Sequence, residues 1–196
     1  MPAVAQSTSE LASKPGAVVT TPHVRAELVA HAPDGVTPGA PVWVGLQIAH
    51  QPEWHTYWKN AGDSGLPTEM TWTLPAGVST GEIAWPAPKK IPVGSLANYG
   101  YENTVLLPVP LEVSTLYKPP VALGGTPAMD IQLKASWLVC RKECIPEEGT
   151  FTLALPLQGS TALHKADFDT AAAAQPQPLA KPGTVEVDGH NLKVRL

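Results

Sequence analysis

Residues 129–157 read MDIQLKASWLVCRKECIPEEGTFTLALPL, and this stretch decides the fold class. Apolar and polar residues alternate over Met129–Val139 and again over Thr150–Leu157. A period of two is typical of a half-buried β-strand, because successive side chains point to opposite faces of a sheet. The apolar face of the first run consists of Ile131, Leu133, Ala135 and Trp137. Two such runs joined by a short polar segment predict an antiparallel hairpin with one face on a core.

Similar runs recur along the chain before this hairpin. They predict strands at His23–Ala32, Pro41–His50, Met70–Leu74, Gly81–Trp85 and Thr104–Val113. In the last of these, Pro108 and Pro110 lack an N–H donor and predict an edge or a bulge. The long segment 51–70 is rich in Trp, Tyr, Gly and Asp, and residues 86–100 are predicted to form an irregular loop. Seven or eight short strands separated by turns predict an all-β protein built as an antiparallel β-sandwich.

Composition agrees with this fold class and limits the function. The chain has 196 residues with 22 prolines and 16 glycines, which helix interiors tolerate poorly. A chain of this length buries a core without disulfide bonds. The net charge is −4 and no basic stripe is visible, so we expect no nucleic-acid partner. No apolar stretch reaches the roughly 18 residues of a membrane span.

The ends of the chain differ from the middle. Residues 1–19 are small and polar, without a signal peptide, and predict a disordered tail. Residues 20–157 are expected to form the sandwich. Residues 158–182 predict a helix within Ser160–Ala174 and then a proline-rich linker. Residues 183–196 predict a β-hairpin that turns at Asp188-Gly189 and either packs on the sandwich or begins a truncated second β domain.

The only two cysteines, Cys140 and Cys144, fall in the predicted hairpin turn as CRKEC. Three intervening residues can bring the two Cα atoms within the roughly 4.4–6.8 Å that a disulfide needs. A ring this short stabilises a fold only modestly. Because a turn is open to partners, we favour a chemical role. An inert local disulfide and two free thiols remain alternatives at this point.

A metal site at the cysteines is a further alternative. Two thiolates could bind zinc or Cu(I), but zinc needs two more ligands. The six histidines are scattered along the chain, so we predict no metal.

The charges near the cysteines are mixed. Arg141 and Lys142 favour a thiolate. Three carboxylates, Glu143, Glu147 and Glu148, oppose them. We therefore predict that the reactivity of the cysteines depends on docking of a partner and on uncovering of the disulfide more than on an activated thiolate.

An aromatic cluster lies at Trp54, His55, Tyr57 and Trp58. It fits a binding surface or core packing at one end of the sandwich, and the sequence favours packing. His55 could serve as a general base, but no nucleophile stands beside it in the sequence.

Three motifs together resemble a known family. WLVCRKECIPEE (137–148), EWHTYWKNAGDSGLPTEMTW (53–72) and IPVGSLANYGYENTVLLPV (91–109) resemble the amino-terminal periplasmic domain of the DsbD/ScsB family of membrane thiol–disulfide reductases. The resemblance spans about residues 20–157 and is greater to the ScsB-like branch. DsbD itself has a wider cysteine spacing than the CxxxC found here.

The resemblance implies an immunoglobulin-like sandwich in the periplasm, as one domain of an inner-membrane protein. It implies electrons from a thioredoxin-like domain of the same or a companion polypeptide, passed to disulfides in periplasmic thioredoxin-fold proteins. Cys140 and Cys144 stand where the family has its redox pair, with Cys144 the attacking thiol and Cys140 the resolving one. The redox-active disulfide is then the sole redox group, with no cofactor, and only other parts of the full-length protein meet the membrane.

The resemblance also implies a cap over the disulfide. Asn98, Tyr99, Gly100 and Tyr101 match the family's aromatic cap loop by position. The alternative function is a noncatalytic β-sandwich module that binds a partner protein or copper and carries an inert disulfide.

Overall fold

In a computed structural model, the described residues are 16–120, 126–177 and 183–195. They form strands and one helix, numbered here in chain order. The strands are β1 (Val18–Thr20), β2 (Val24–His31), β3 (Val42–His50), β4 (His55–Gly62), β5 (Glu69–Thr73), β6 (Val78–Thr80), β7 (Lys89–Val93), β8 (Leu96–Glu102), β9 (Thr104–Val113), β10 (Ala128–Cys140), β11 (Cys144–Pro156), β12 (Thr184–Asp188) and β13 (Asn191–Arg195). The helix is α1 (Lys165–Ala173).

Two antiparallel sheets build the sandwich, as the sequence predicts. One sheet has the strand order β1-β2-β3-β9-β6. The other has the order β11-β10-β4-β8-β7, and β5 pairs with β10 beside this path. The β12–β13 hairpin forms a separate two-stranded sheet. This order places β11 at one edge of the second sheet and β10 next to it.

The core lies between the inner faces of the two sheets. The predicted apolar faces of β3 and β10 are both buried there, and one cluster joins them. From β3 it includes Val42, Val44, Leu46 and Ile48, and from β10 it includes Ile131, Leu133, Ala135 and Trp137. Because the side chains of β10 alternate, the cysteine at its end lies on the opposite, outer face of the sheet.

The β10–β11 hairpin is longer than predicted. Its register runs without interruption from Ala128 opposite Pro156 to Cys140 opposite Cys144. The second strand begins at Cys144, not at Thr150, because residues 145–149 continue the ladder despite Pro146 and Gly149. An edge strand tolerates both residue types, because a continuous strand ladder runs along only one of its sides.

Two segments in which we predicted no strand contain strands. Segment 51–70 holds β4 and the start of β5, and segment 86–100 holds β7 and most of β8. β4 starts with three buried residues in succession, His55, Thr56 and Tyr57, so it shows no period of two. β7 and β8 are joined through the two-residue turn Gly94-Ser95.

The prediction of a strand at Gly81–Trp85 is wrong. The strand in this region is β6, which ends at Thr80. The next residues run along β9 with isolated hydrogen bonds: Gly81 donates to the Pro110 carbonyl and Ala84 to the Pro108 carbonyl. Both prolines lie beyond the short β6 ladder, where β9 needs no N–H on that side, in agreement with the predicted edge position.

The chain ends correspond partly to the sequence prediction. Of the predicted tail, residues 1–15 lie outside the described part, but Val18 and Val19 belong to β1, which pairs with β2. The helix is shorter than Ser160–Ala174, and residues 178–182 of the linker are outside the described part. The predicted hairpin forms, with all residues of β12 and β13 exposed. Among the described residues, no helix has the length and apolarity to cross a membrane.

Candidate active site

The two cysteines close the β10–β11 hairpin and form a disulfide. Cys140 is the last residue of β10 and Cys144 the first of β11, and they face each other as the final register pair. Their Cα atoms are 4.2 Å apart. The turn between them is closed by a hydrogen bond of 3.1 Å from the Arg141 N–H to the Glu143 carbonyl. The strand pairing thus aligns the two sulfur atoms.

The two cysteines differ in exposure. Cys140 is 2% exposed, whereas Cys144 is exposed. The reason is their place in the sheet: Cys144 lies on the edge strand β11, while Cys140 is paired on its other side with His55 of β4. A large reactant approaching the disulfide therefore meets Cys144 before Cys140.

Tyr57 is the aromatic residue that contacts the disulfide. Its hydroxyl lies 3.7 Å from Cys144 Sγ, and its side chain is 1% exposed. Burial raises the pKa of the Tyr57 phenol, and hydrogen bonding with Ser64 offsets part of that rise. The hydroxyl therefore stays protonated and can donate to a sulfur that gains negative charge.

A short loop after β4 covers the Tyr57 ring. Gly65 lies so close to this ring that an added Cβ would overlap it, and its φ of +103° also favours glycine. Asn98 of β8 anchors the loop, since its Oδ1 accepts hydrogen bonds of 3.1 Å from both the N–H and the hydroxyl of Ser64. Asp63 Oδ2 accepts a third, of 2.7 Å, from the N–H of Ala97.

A cleft of about 480 Å³ opens beside the disulfide turn. It is lined by Glu53, His55, Ile91, Pro92, Val93, Glu102, Arg141 and Lys142. Arg141 is held in place by an ion pair of 3.0 Å with Glu53 and by stacking over Trp54 at 5.7 Å. The cleft carries both signs of charge, so it does not strongly favour a thiolate.

The disulfide hairpin lies within a region that matches a known protein family. The family model described as "Thiol:disulfide interchange protein DsbD, N-terminal" matches residues 25–156, which include the whole disulfide hairpin. The chain belongs to this family. Its cysteine pair therefore lies in a thiol–disulfide interchange domain, as the sequence predicted.

A solved structure shares the fold. The crystal structure of the N-terminal periplasmic domain of ScsB from Proteus mirabilis matches with a TM-score of 0.59 and 21% identity. The match covers 90% of this chain and 66% of that chain. At this identity the likeness shows the immunoglobulin-like all-β fold, which the sequence predicted. A comparison with curated proteins found no match.

The predicted cap residues of this DsbD-family domain lie in β8. Asn98, Gly100 and Tyr101 are buried, and the Tyr101 hydroxyl donates a hydrogen bond of 2.7 Å to the Pro86 carbonyl. Tyr99 is 37% exposed. The cap role stays a prediction, and Tyr99 is the residue on which it can be tested without disturbing the core.

Two of the three predicted opposing carboxylates are bound elsewhere. Glu147 accepts hydrogen bonds from Thr21 Oγ1 (2.6 Å), His23 Nδ1 (2.6 Å) and Trp137 Nε1 (3.2 Å). Glu148 pairs with Lys134 at 3.3 Å. The charges within the turn itself are therefore Arg141, Lys142 and Glu143.

The described residues contain no group of three or more His, Cys, Asp or Glu that could hold a metal ion. Sequence reasoning missed Tyr57 and Gly65 as parts of the site and treated the aromatic cluster as packing. That interpretation fits Trp54 and Trp58, which pack against the core.

His50 makes the stability of this end of the domain depend on pH. Its Nδ1 donates to the Asn103 carbonyl at 2.8 Å, and its Nε2 lies 2.9 Å from Thr56 Oγ1, from which a neutral ring accepts a hydrogen bond. Burial lowers the pKa of His50 from 6.5 to about 4. Between these values the unfolded chain binds a proton that the folded chain does not, so the free energy of unfolding rises with pH.

We expect this histidine to contribute a loss of up to about 3 kcal/mol in unfolding free energy on acidification from pH 7 to pH 4. Urea unfolding of the wild type and of His50→Gln across this range measures it. Glutamine can donate and accept hydrogen bonds but does not titrate, so the variant should lose less stability. Parallel losses in both proteins would show that His50 does not contribute.

Proposed function

We propose that this chain is a periplasmic electron-transfer domain that acts through the Cys140–Cys144 pair. It takes electrons from a thioredoxin-like domain of the same or a companion polypeptide. It passes them to disulfides in periplasmic thioredoxin-fold proteins. Family membership supports thiol–disulfide interchange, and disulfide chemistry of this kind belongs to oxidising compartments.

The observation that carries this proposal is the unequal exposure of the two cysteine residues. The exposed Cys144 on an edge strand can form a mixed disulfide with a partner, while the buried Cys140 can reach only Cys144. An inert disulfide needs no such asymmetry. The register pairing keeps Cys140 opposite Cys144 throughout, so the second step needs no large rearrangement.

The chemistry balances in two steps. In the reduced domain, the Cys144 thiolate attacks a partner disulfide and forms a mixed disulfide, and the first partner sulfur leaves with an electron pair and takes up a proton. Cys140 then gives up its thiol proton and attacks Cys144 Sγ, and the second partner sulfur leaves in the same way. Two electrons and two protons reach the partner, and the domain regains its disulfide. Reduction by the thioredoxin-like donor is the reverse sequence.

Docking is expected to control the rate of this exchange. The turn charges are mixed and no helix N-terminus adjoins the cysteines among the described residues, so the usual means of thiolate activation are weak here. Tyr57 and its covering loop shield one side of the disulfide. Shielding protects reduced thiols in an oxidising compartment, and a cognate partner overcomes it through its own contacts.

Comparison of reductants tests the proposal. The oxidised chain is mixed with dithiothreitol or with a reduced thioredoxin-fold protein at equal dithiol concentration, and free thiols are alkylated and counted by mass spectrometry over time. We expect the thioredoxin-fold protein to reduce the disulfide much faster. If the protein donor gives no reduction at all, the noncatalytic module is the better account.

The same assay tests the cap at Tyr99. Tyr99→Ala removes part of the predicted cap, so we expect faster reduction by dithiothreitol. Because the Tyr99 side chain is exposed, thermal stability should be unchanged. The rate with the thioredoxin-fold donor should rise far less, because the donor displaces the cap itself. Tyr101→Ala is unsuitable, since it removes a buried side chain and its bond to Pro86. An unchanged dithiothreitol rate for Tyr99→Ala would leave Tyr99 as a packing residue of β8.

A further inference from the structure

The structure places a histidine beside the buried cysteine. His55 is the register partner of Cys140 across the β4–β10 pair. Side chains of directly opposite residues in an antiparallel pair share one face, with Cβ atoms about 4.5–5.5 Å apart. The imidazole of His55 and the sulfur of Cys140 are therefore neighbours on the outer face of the sheet. The nucleophile that the sequence did not place next to His55 is supplied by another strand.

One ring nitrogen of His55 has no partner. The side chain is 2% exposed, and its Nε2 is buried without a hydrogen bond. An unsatisfied buried nitrogen costs free energy, so its retention calls for an explanation. The ring packs edge-on against Tyr57, with centroids 5.2 Å apart, and Tyr57 in turn contacts Cys144 Sγ. His55 thus adjoins both the buried sulfur and the residue that touches the exposed one.

We propose that His55 accepts the thiol proton of Cys140 when Cys140 resolves the mixed disulfide on Cys144. The inference rests on the proposed exchange function and assigns its proton acceptor. The S–H bond of Cys140 breaks and its proton moves to the imidazole. The freed electron pair forms the bond to Cys144 Sγ, and the bond from Cys144 to the partner breaks, leaving its electron pair on the partner sulfur. The proton then passes to water in the cleft and reaches the partner thiolate.

A buried thiol needs such an acceptor. Cys140 is shielded from water, and burial of this kind disfavours a thiolate. In the reverse direction, the protonated imidazole returns a proton to Cys140 as its sulfur leaves. Cys140 is then never left as a thiolate in its buried position.

The charges around His55 suit a base. Burial lowers its pKa, which keeps the ring neutral at pH 7, and the Glu102 carboxylate opposite it on β8 acts in the other direction. The turn supplies Arg141 and Lys142, and the segment before β4 supplies Glu53, all lining the same cleft. His50 at the end of β3 and the Tyr57 phenol on β4 are further titratable groups nearby.

Stopped-flow reaction of the reduced chain with 5,5′-dithiobis(2-nitrobenzoate) separates the two steps. Attack by Cys144 releases the first coloured thiolate, and resolution by Cys140 releases the second. We compare the wild type with His55→Gln. The matched control is His50→Gln, since His50 is a partly buried histidine at the same end of the sandwich but bonds to Thr56 and Asn103.

We expect His55→Gln to slow the second phase at pH 7 by about a hundredfold or more, as general-base catalysis typically contributes. The first phase should change little, and His50→Gln should keep both phases. The deficit should narrow near pH 9, where a thiol ionises without help. In the wild type, the second phase should rise with pH through a titration below 6.5, the ordinary pKa of histidine.

Two results would overturn the inference. One is an equal second phase in the wild type and His55→Gln. The other is a wild-type second phase that rises only with thiol ionisation near pH 8.5. His55→Asn and the wild-type pH profile keep the test decisive if His55→Gln does not fold. Failure of the proposed function gives a different result from failure of this inference. In that case no thioredoxin-fold donor would reduce the wild-type disulfide, even if His55 affects the reaction with the small aromatic disulfide.

Discussion

Replacement of Cys144 by serine is expected to abolish electron transfer to partner disulfides, leaving only the background rate. The reason is access: Cys144 is the exposed cysteine on an edge strand, whereas Cys140 is buried between β11 and β4. Single-turnover transfer from the reduced chain to an oxidised thioredoxin-fold protein measures the loss. Cys144→Ser should keep the wild-type thermal unfolding midpoint within a few degrees, so loss of fold does not explain the result.

Cys140→Ala is the complementary variant. It leaves Cys144 able to attack but removes the thiol that resolves the mixed disulfide, so a covalent complex with the partner should accumulate. Non-reducing electrophoresis and mass spectrometry of the complex identify the cysteine involved. A complex that forms with Cys144→Ser and not with Cys140→Ala would reverse the roles of the two thiols.

Phe151→Ala is expected to lose more stability than any of the variants at the disulfide, about 3–5 kcal/mol in the free energy of unfolding. Phe151 is fully buried in β11 and belongs to the core cluster between the sheets. Its ring also packs on Gly149, where an added Cβ would lie 2.8 Å from the ring. Urea unfolding measures the change. Thr150→Ala is the matched control, because Thr150 is exposed on the same strand and should shift stability by less than about 0.5 kcal/mol.

The disulfide should matter far less to stability than Phe151. The Cys140–Cys144 ring encloses three residues, and closing so short a loop stabilises a chain by at most about 2 kcal/mol. The double variant Cys140→Ala/Cys144→Ser tests this without burying a hydroxyl at position 140. A loss as large as that of Phe151→Ala would make the pair a structural staple and weaken the case for exchange.

The hairpin that carries the disulfide could be predicted because its signals are local. Alternation over Met129–Val139 marks β10, and CRKEC lies within a turn whose ends must meet. The resemblance of three sequence motifs predicted the family, and the family model confirms it over residues 25–156.

The environment of the disulfide could not be predicted in the same way. Tyr57 and His55 reach the cysteines only through the pairing of β4 with β10, which is fixed by tertiary packing and not by the sequence near Cys140. The β7–β8 hairpin, in contrast, had a usable signal. Gly94-Ser95 between Val93 and Leu96 is a two-residue turn with glycine first, and Gly94 has a φ of +61°.

The reduction potential of the Cys140–Cys144 pair tests the central claim most directly. Equilibration of the chain in glutathione or dithiothreitol redox buffers, followed by alkylation and mass spectrometry, measures it. A domain that exchanges electrons with thioredoxin-fold proteins is expected to fall within their range, from about −270 to about −120 mV. A potential below about −300 mV, the range of inert structural disulfides, would contradict the account.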